Sequence, residues 1–286
     1  MTLPAFELHR PRTVEEATEL LDQHGEEALL YCGGTELLLL AKLGFTAFEH
    51  LVDTKAIDEL AGIRADGDVL VLGATATHRQ IERSPLVLER LPALASMERQ
   101  VANVRVRTVG TLAGNLCFSD PHSDPATFLL ALDAEVDSRR GDATARRRPL
   151  RAFLTGAYEP ALEHGEVVLS IRVPVPAADT VIVHRKFAFH ERPAATVTCG
   201  ARVVDGVIES ARIAVGSVGN LAVRASDAEA HLVGASPLDD QALAAAAASA
   251  AAVSDPVEDT NGSVEYKAHL VEVLVARAFR EAALAA

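Results

Sequence analysis

Leu30-Tyr31-Cys32-Gly33-Gly34-Thr35-Glu36 and Arg107-Thr108-Val109-Gly110-Thr111-Leu112-Ala113-Gly114-Asn115-Leu116 decide the reading of this chain. Glycine lets the backbone adopt positive φ and lets a ligand approach without a Cβ in the way. Successive free N–H groups in such turns make concavities that hold anions, and a following helix N-terminus adds to the effect. Ala28 to Cys32 is a short apolar run that reads as a buried strand, and Glu36 to Leu43 reads as a helix. Strand, glycine turn and helix in succession form the context in which a glycine loop carries weight. Two such segments in one chain point to a ligand with a long phosphate bridge.

The first segment lacks G-x-G-x-x-G, and no Lys-Ser/Thr pair follows it, so neither a Rossmann fingerprint nor a P-loop is encoded. The second offers several N–H donors, two hydroxyls and an amide in a short stretch. It continues into Ser119-Asp120-Pro121-His122-Ser123-Asp124-Pro125. There Asp124 is placed either to bind a sugar hydroxyl or to cap the helix running through Phe128 and Leu129.

Outward from these segments, Thr13-Val14-Glu15-Glu16 is a capping box that opens a helix through Leu20 and Leu21, with Gly25 as its stop. His50 to Asp53 adds a strand and completes a small β-α-β-α-β opening. Asp68 to Ala74, Ala134 to Ser138 and Glu166 to Val173 read as strands. Ile81 to Arg99 is helical, with breaks at Ser84-Pro85 and Leu91-Pro92, and Thr127 to Leu132 is a short helix. Beyond Pro176, Val181 to Phe189, Thr196 to Val204 and Val207 to Val215 alternate as strands, the last two joined by an Asp205-Gly206 hairpin turn. A final helix from about Ser263 presents Tyr266, Leu270, Val273 and Leu274 on one face. The expected fold is α+β. Residues 1–175 form one domain, with subdomains of about 1–56 and 57–175, and residues 176–286 form a second domain with a three-stranded antiparallel sheet and helices.

The 286 residues are 49% hydrophobic and carry a net charge of −13, which disfavours broad binding to nucleic acid or anionic lipid. Arg139, Arg140, Arg146, Arg147, Arg148 and Arg151 are the local exception and read as a solvated hairpin. Cys32, Cys117 and Cys199 are far apart and form no C-x-x-C pair, so no zinc ribbon or iron–sulfur cluster is encoded locally. Their odd number and the absence of a signal-peptide pattern fit a reducing cytoplasm. The Ala-rich run from Gln241 to Ser254 is too short to span a bilayer.

Ten histidines are present, yet their spacings show no metal motif, so no metal ligand is expected in the chain. His184, Lys186 and His190 share strand parity and could face one side. No nucleophile or acid–base pair is recognisable from residue order, so no catalytic residue is assigned.

Several stretches together resemble a known family. They are Gly33-Gly34-Thr35-Glu36-Leu37, Val106 to Asn115, Ser119 to Asp124, His50-Leu51-Val52-Asp53, Leu72-Gly73-Ala74-Thr75, Val168 to Pro174 and Ile213 to Gly219. In this order they are similar to the FAD-binding medium subunits of molybdenum hydroxylases, such as xanthine dehydrogenases and aerobic carbon monoxide dehydrogenases. That FAD domain belongs to the wider vanillyl-alcohol-oxidase/p-cresol-methylhydroxylase (VAO/PCMH) class.

The resemblance implies that Leu30, Tyr31, Cys32, Gly33, Gly34, Thr35, Glu36 and Leu37 wrap the FAD pyrophosphate. Thr111, Gly114 and Asn115 would close on it from the second subdomain, and Asp124 would hold a polar group of the cofactor. Val101 and Val168 would line the flavin ring. Lys186 would lie near it and stabilise the anionic reduced form. The resemblance also implies a small partner with [2Fe–2S] clusters and a large partner with a molybdenum–pterin site, assembled as a dimer of heterotrimers. The family usually carries two glycines where this chain has Ala113-Gly114. If residue 113 needed positive φ, Ala would cost about 1 kcal/mol. Two other readings stay open: a self-contained FAD oxidoreductase of the same fold, of the alcohol oxidase or enolpyruvyl reductase type, and a nucleotide-binding module without redox function.

Overall fold

The computed structural model describes residues 3–189 and 192–286. Its opening unit is β1 (Glu7–His9), α1 (Val14–His24), β2 (Ala28–Tyr31), α2 (Leu37–Leu43) and β3 (His50–Asp53). The strands form an all-parallel sheet in the order β1-β3-β2. Thr13 caps α1 by accepting from the Glu16 amide, and Gly25 ends it at φ 56°. The Glu16 carboxylate reaches back to the Arg12 amide rather than to that of Thr13, so the expected capping box is displaced by one residue.

The second unit contains β4 (Ile63–Asp66), β5 (Val69–Gly73), α3 (His78–Arg83), α4 (Pro85–Arg90), α5 (Pro92–Glu98), α6 (Val104–Val109), α7 (Leu112–Phe118), α8 (Asp124–Ala131), β6 (Glu135–Arg140), β7 (Arg146–Pro149), α9 (Leu150–Phe153), β8 (Leu154–Gly156), β9 (Glu159–Pro160) and β10 (Glu166–Pro174). A five-stranded sheet in the order β4-β5-β10-β6-β7 runs through it. The helical stretch breaks at the two proline sites, because proline lacks the N–H an interior helical position needs. Each proline instead starts the next helix. The expected helix begins earlier than Ile81, at a true capping box formed by Thr77 and Gln80.

Two expectations need correction here. Much of the second glycine segment is helix: α6 ends at Val109, and α7 starts at Leu112 with Thr111 as its cap. Ala113 lies inside α7 and is not among the residues with positive φ, so its substitution for glycine carries no backbone strain. The cap of α8 is Ser123, not Asp124, which occupies the first helical turn.

The C-terminal part contains β11 (Thr180–Ala188), β12 (Pro193–Val204), β13 (Val207–Gly216), β14 (Val223–Arg224), α10 (Ser226–Ala230), α11 (Asp240–Val253) and α12 (Val264–Ala285). Its antiparallel sheet has four strands rather than three, because the two-residue β14 pairs with Ala214 and Val215. Asp205 and Gly206 both take positive φ, as a tight hairpin turn requires. Buried Cys199, Ile213, Val215, Val271, Val275 and Phe279 form its core with the alanines of α11. The buried stripe of α12 runs through Lys267, Leu270, Val271, Val275 and Phe279, while Tyr266 is exposed. A buried lysine inside the stripe conceals its phase in the sequence. Its Nζ donates to Val257 O at 2.8 Å and pairs with Asp259.

The arginine hairpin is β6-β7, and most of its cations are paired. Arg139 meets Glu15 and Glu59, Arg140 meets Asp22, Arg147 meets Asp137, and Arg148 meets Glu166. The C-terminal sheet is joined to α8 by a buried hydroxyl chain. Thr127 Oγ1 lies 2.9 Å from Thr196 Oγ1, which lies 3.1 Å from Ser217 Oγ. Among the described residues no helix is long and apolar enough to cross a membrane.

Candidate functional site

A cavity of about 430 Å³ opens between the first and second units. Leu30, Tyr31, Cys32, Gly33, Gly34, Thr35, Glu36 and Leu37 line one side. Thr111, Gly114 and Asn115 line another, and Val101 and Val168 add apolar wall. Its size falls within the usual range for cofactor sites.

The two glycine segments touch. A Cβ on Gly33 would lie 2.5 Å from Val109 O and 2.7 Å from Gly110 Cα, so only glycine allows the backbones to meet. Gly34 takes φ +68°, and a Cβ there would also strike the Tyr31 ring at 2.3 Å. The amides of Gly33, Gly34, Thr35 and Glu36 donate to no acceptor among the described residues. Four consecutive free donors beside a cavity make an anion cradle.

The cradle is held from behind. Thr54 Oγ1 donates to Tyr31 O at 3.3 Å, and Lys55 Nζ donates to Cys32 O at 3.1 Å while sitting over the Tyr31 ring. In a trans peptide the carbonyl and the next amide point to opposite sides. Fixing Cys32 O on Lys55 therefore turns the Gly33 N–H away from Lys55. Sequence reading missed both Thr54 and Lys55. The signal is the parallel pairing of Tyr31 with Asp53, which sets the residues after each strand side by side.

The second segment uses most of its donors internally. Thr111 Oγ1 accepts from the Gly114 amide at 3.1 Å, Asn115 N donates to Thr111 O, and Leu112 N donates to Ala76 O. It also contributes a side chain, that of Asn115. Ser123 Oγ accepts from Ala126 N, and its proton goes to Asn115 Oδ1 at 2.5 Å. That orientation leaves the Asn115 NH2 group for the cavity.

Asp124 and Lys186 do not line the cavity. The structure brings them together: Lys186 Nζ lies 2.8 Å from Asp124 Oδ2 and 2.6 Å from Gln100 O, next to the wall residue Val101. His184 approaches the other Asp124 oxygen at 3.6 Å, so His184 and Lys186 do share a face. His190, the third member of that expected face, lies outside the described residues.

Further polar groups at the cavity escaped the sequence reading. His78 lines it and binds the fully buried Glu98 through Nδ1 at 2.7 Å. Glu166 also lines it. Burial opposes its ionisation, but hydrogen bonds from Arg148, the Glu163 amide and Ser138 hold its carboxyl below the usual range. Burial, with the nearby Asp120 carboxylate, raises Glu36. Burial pushes the Cys117 thiol up to about 12 and raises Cys32, so both cavity cysteines are protonated and unreactive near neutral pH.

A glycine cradle between two α+β units, followed by a sheet-and-helix domain, defines a flavin-nucleotide domain of the VAO/PCMH class. Residues 4–176 match the family described as the FAD binding domain in molybdopterin dehydrogenase, and residues 185–282 match the CO dehydrogenase flavoprotein C-terminal domain. The carbon monoxide dehydrogenase medium chain of Hydrogenophaga pseudoflava is 35% identical over 99% of this chain and 98% of its own length. A solved structure of carbon monoxide dehydrogenase from that organism, lacking the Mo-pyranopterin moiety of the molybdenum cofactor, superposes with a TM-score of 0.95 at 37% identity, covering 100% of this chain and 99% of that one. Quinoline 2-oxidoreductase from Pseudomonas putida 86 superposes with a TM-score of 0.93 at 28% identity, covering 99% of each chain. The chain belongs to the FAD-binding medium subunits of the molybdenum hydroxylase family, and it is the flavoprotein part of an oxidoreductase. The free amides and the glycine approach fit a pyrophosphate in this cavity.

Proposed function

We propose that this chain carries electrons within a three-subunit assembly. It takes them from [2Fe–2S] clusters of a small partner, supplied by a molybdenum–pterin subunit that hydroxylates the substrate, and passes them to an external acceptor. FAD, when bound, supplies a ring able to exchange electrons singly or in pairs. The chain's own residues bind, orient and shield. The amides from Gly33 to Glu36 hold the pyrophosphate, and Asn115 donates from the opposite side. Val101 and Val168 keep water from the apolar part of the cavity. Asp124 and Lys186 fix the carbonyl of Gln100 and thereby the wall beside it. A cytoplasmic location and a dimer of heterotrimers belong to the same proposal. The three free thiols suit a reducing compartment, and closed two-fold assemblies are the commonest.

The observation that carries this reading is the row of unpaired amides at the Gly33–Glu36 turn. Co-expression with the neighbouring genes tests it. The purified complex should contain one FAD per copy of this chain together with iron and molybdenum. The isolated chain should bind FAD, turn yellow and catalyse no hydroxylation. A chain that stays colourless on FAD titration refutes the reading. Turnover of a small substrate by the isolated chain, free of iron and molybdenum, establishes the self-contained oxidoreductase instead.

A further inference from the structure

Three histidines remote in sequence meet on the first unit, away from the cavity. His9 ends β1, His24 ends α1 and His50 opens β3. The rings of His24 and His50 stack with centroids 3.7 Å apart, and the His9 ring lies 5.2 Å from each. His9 Nε2 is 3.0 Å from His50 Nδ1, and one ring nitrogen from each of the three residues falls within 4.8 Å of the others. The side chains of His9 and His50 are only 16% exposed. Carboxylates surround them. Glu7 places its two oxygens 3.9 Å from His9 Nδ1 and 3.8 Å from His50 Nδ1, and Glu27 and Glu49 gather with His50. None of these residues lines the flavin cavity.

Three imidazoles in contact make poor use of their polar atoms by themselves: a single N–H···N bond joins two of them. A tetrahedral cation held at about 2.0–2.1 Å from each nitrogen needs ligand atoms roughly 3.3 Å apart. His9 and His50 are already that close, and His24 has to turn out of its stack on His50 to aim a ring nitrogen at the ion. Imidazole donors without thiolate suit a late divalent transition cation such as Zn(II), not Ca(II) or Mg(II). The nearby carboxylates offset its charge.

We propose that His9, His24 and His50 bind one divalent transition cation of the zinc class, with Glu7 beside the other ring nitrogen of His9 and water completing the shell. Such an ion ties the three-residue edge strand β1 to α1 and to β3. It is a site separate from the FAD cradle, and it does not depend on the electron-transfer reading.

The test uses the full chain loaded with FAD, stripped with EDTA and titrated with zinc chloride. Metal analysis after gel filtration should find one zinc per chain, and calorimetry should give a micromolar or tighter Kd. The melting temperature should rise with zinc, as binding to the folded state alone requires. His24→Asn should weaken zinc binding at least about 100-fold, and Glu7→Gln at least about 10-fold, with the flavin spectrum unchanged. His9→Asn serves as a second ligand variant should H24N fold poorly. A wild-type chain that retains no zinc, or ligand variants that bind it as tightly as wild type, overturns the proposal.

Discussion

The two glycine segments look alike in sequence and work by different physics. At Gly33–Glu36 the backbone itself offers a surface for an anion, because its amides are unpaired among the described residues and the carbonyls just before it, of Tyr31 and Cys32, are tied back by Thr54 and Lys55. At Gly110–Asn115 most amides are already spent on helix and turn contacts, leaving those of Thr111 and Ala113, and Asn115 adds a side-chain donor at the cavity. Glycine serves close approach in both, but positive φ only at Gly34. A glycine-rich stretch therefore marks a place where backbone comes near something. It does not say whether that something is a ligand or another turn of the same chain.

Substitutions can break this contrast. The largest effect on FAD affinity is expected for Gly33→Ala, because its Cβ would collide with backbone atoms of Val109 and Gly110 that cannot rotate away. FAD should be lost on gel filtration, and Gly34→Val should behave the same way through its positive φ. Flavin absorbance per protein at the wild-type ratio in either variant would show that the turn is only structural. Asn115→Ala should weaken FAD by about 1–3 kcal/mol, since it removes a donor at a buried site. Calorimetric titration showing no loss would mean that the second segment contributes no direct contact.

Gly114→Ala sharpens the comparison from the other side. Its Cβ would meet only the Thr111 hydroxyl oxygen, at 2.8 Å, which moves by χ1 rotation at the cost of its cap on the residue 114 amide, about 1 kcal/mol. Alanine offsets this by favouring the helix by up to about 1 kcal/mol over glycine. The net change in FAD affinity should stay below about 1 kcal/mol by the same titration, so an effect as large as that of G33A would erase the distinction drawn here. The smallest change in affinity is expected for Lys186→Met, which leaves the cradle intact. Loss of its cation should lower the flavin midpoint potential by disfavouring the anionic reduced form. Spectroelectrochemistry that finds the potential unmoved would leave Lys186 with a purely structural part beside Asp124 and Gln100.

Most elements were legible because their signals are local. Thr13 and Gly25 bound the first helix, Ser84-Pro85 and Leu91-Pro92 cut the middle helices, and Asp205-Gly206 turns the hairpin. The strand β4 and the two-residue β14 were missed. Ile63–Asp66 shows almost no burial alternation, and Val223–Arg224 is too short to carry a period. The buried face of α12 was displaced because Lys267 is buried through partners elsewhere in the chain.

The sequence by itself carried the two glycine segments, and its resemblance to a known family carried the class of the protein and the expected lining from Leu30 to Leu37. The segments depend on residue type and near-neighbour order: positive φ at Gly34, the missing Cβ at Gly33, and a strand leading into a helix. Tertiary structure decided which donors are free and which are spent, since that depends on partners brought from far along the chain. Lys55 reaches Cys32 O through the parallel pairing of β2 with β3. Lys186 meets Asp124 rather than the cavity because β11 packs against the second unit. His9, His24 and His50, separated by 15 and 26 positions, converge only after α1 folds onto the sheet. No spacing rule encodes such a meeting, because the distance between side chains is set by the path of the backbone between them.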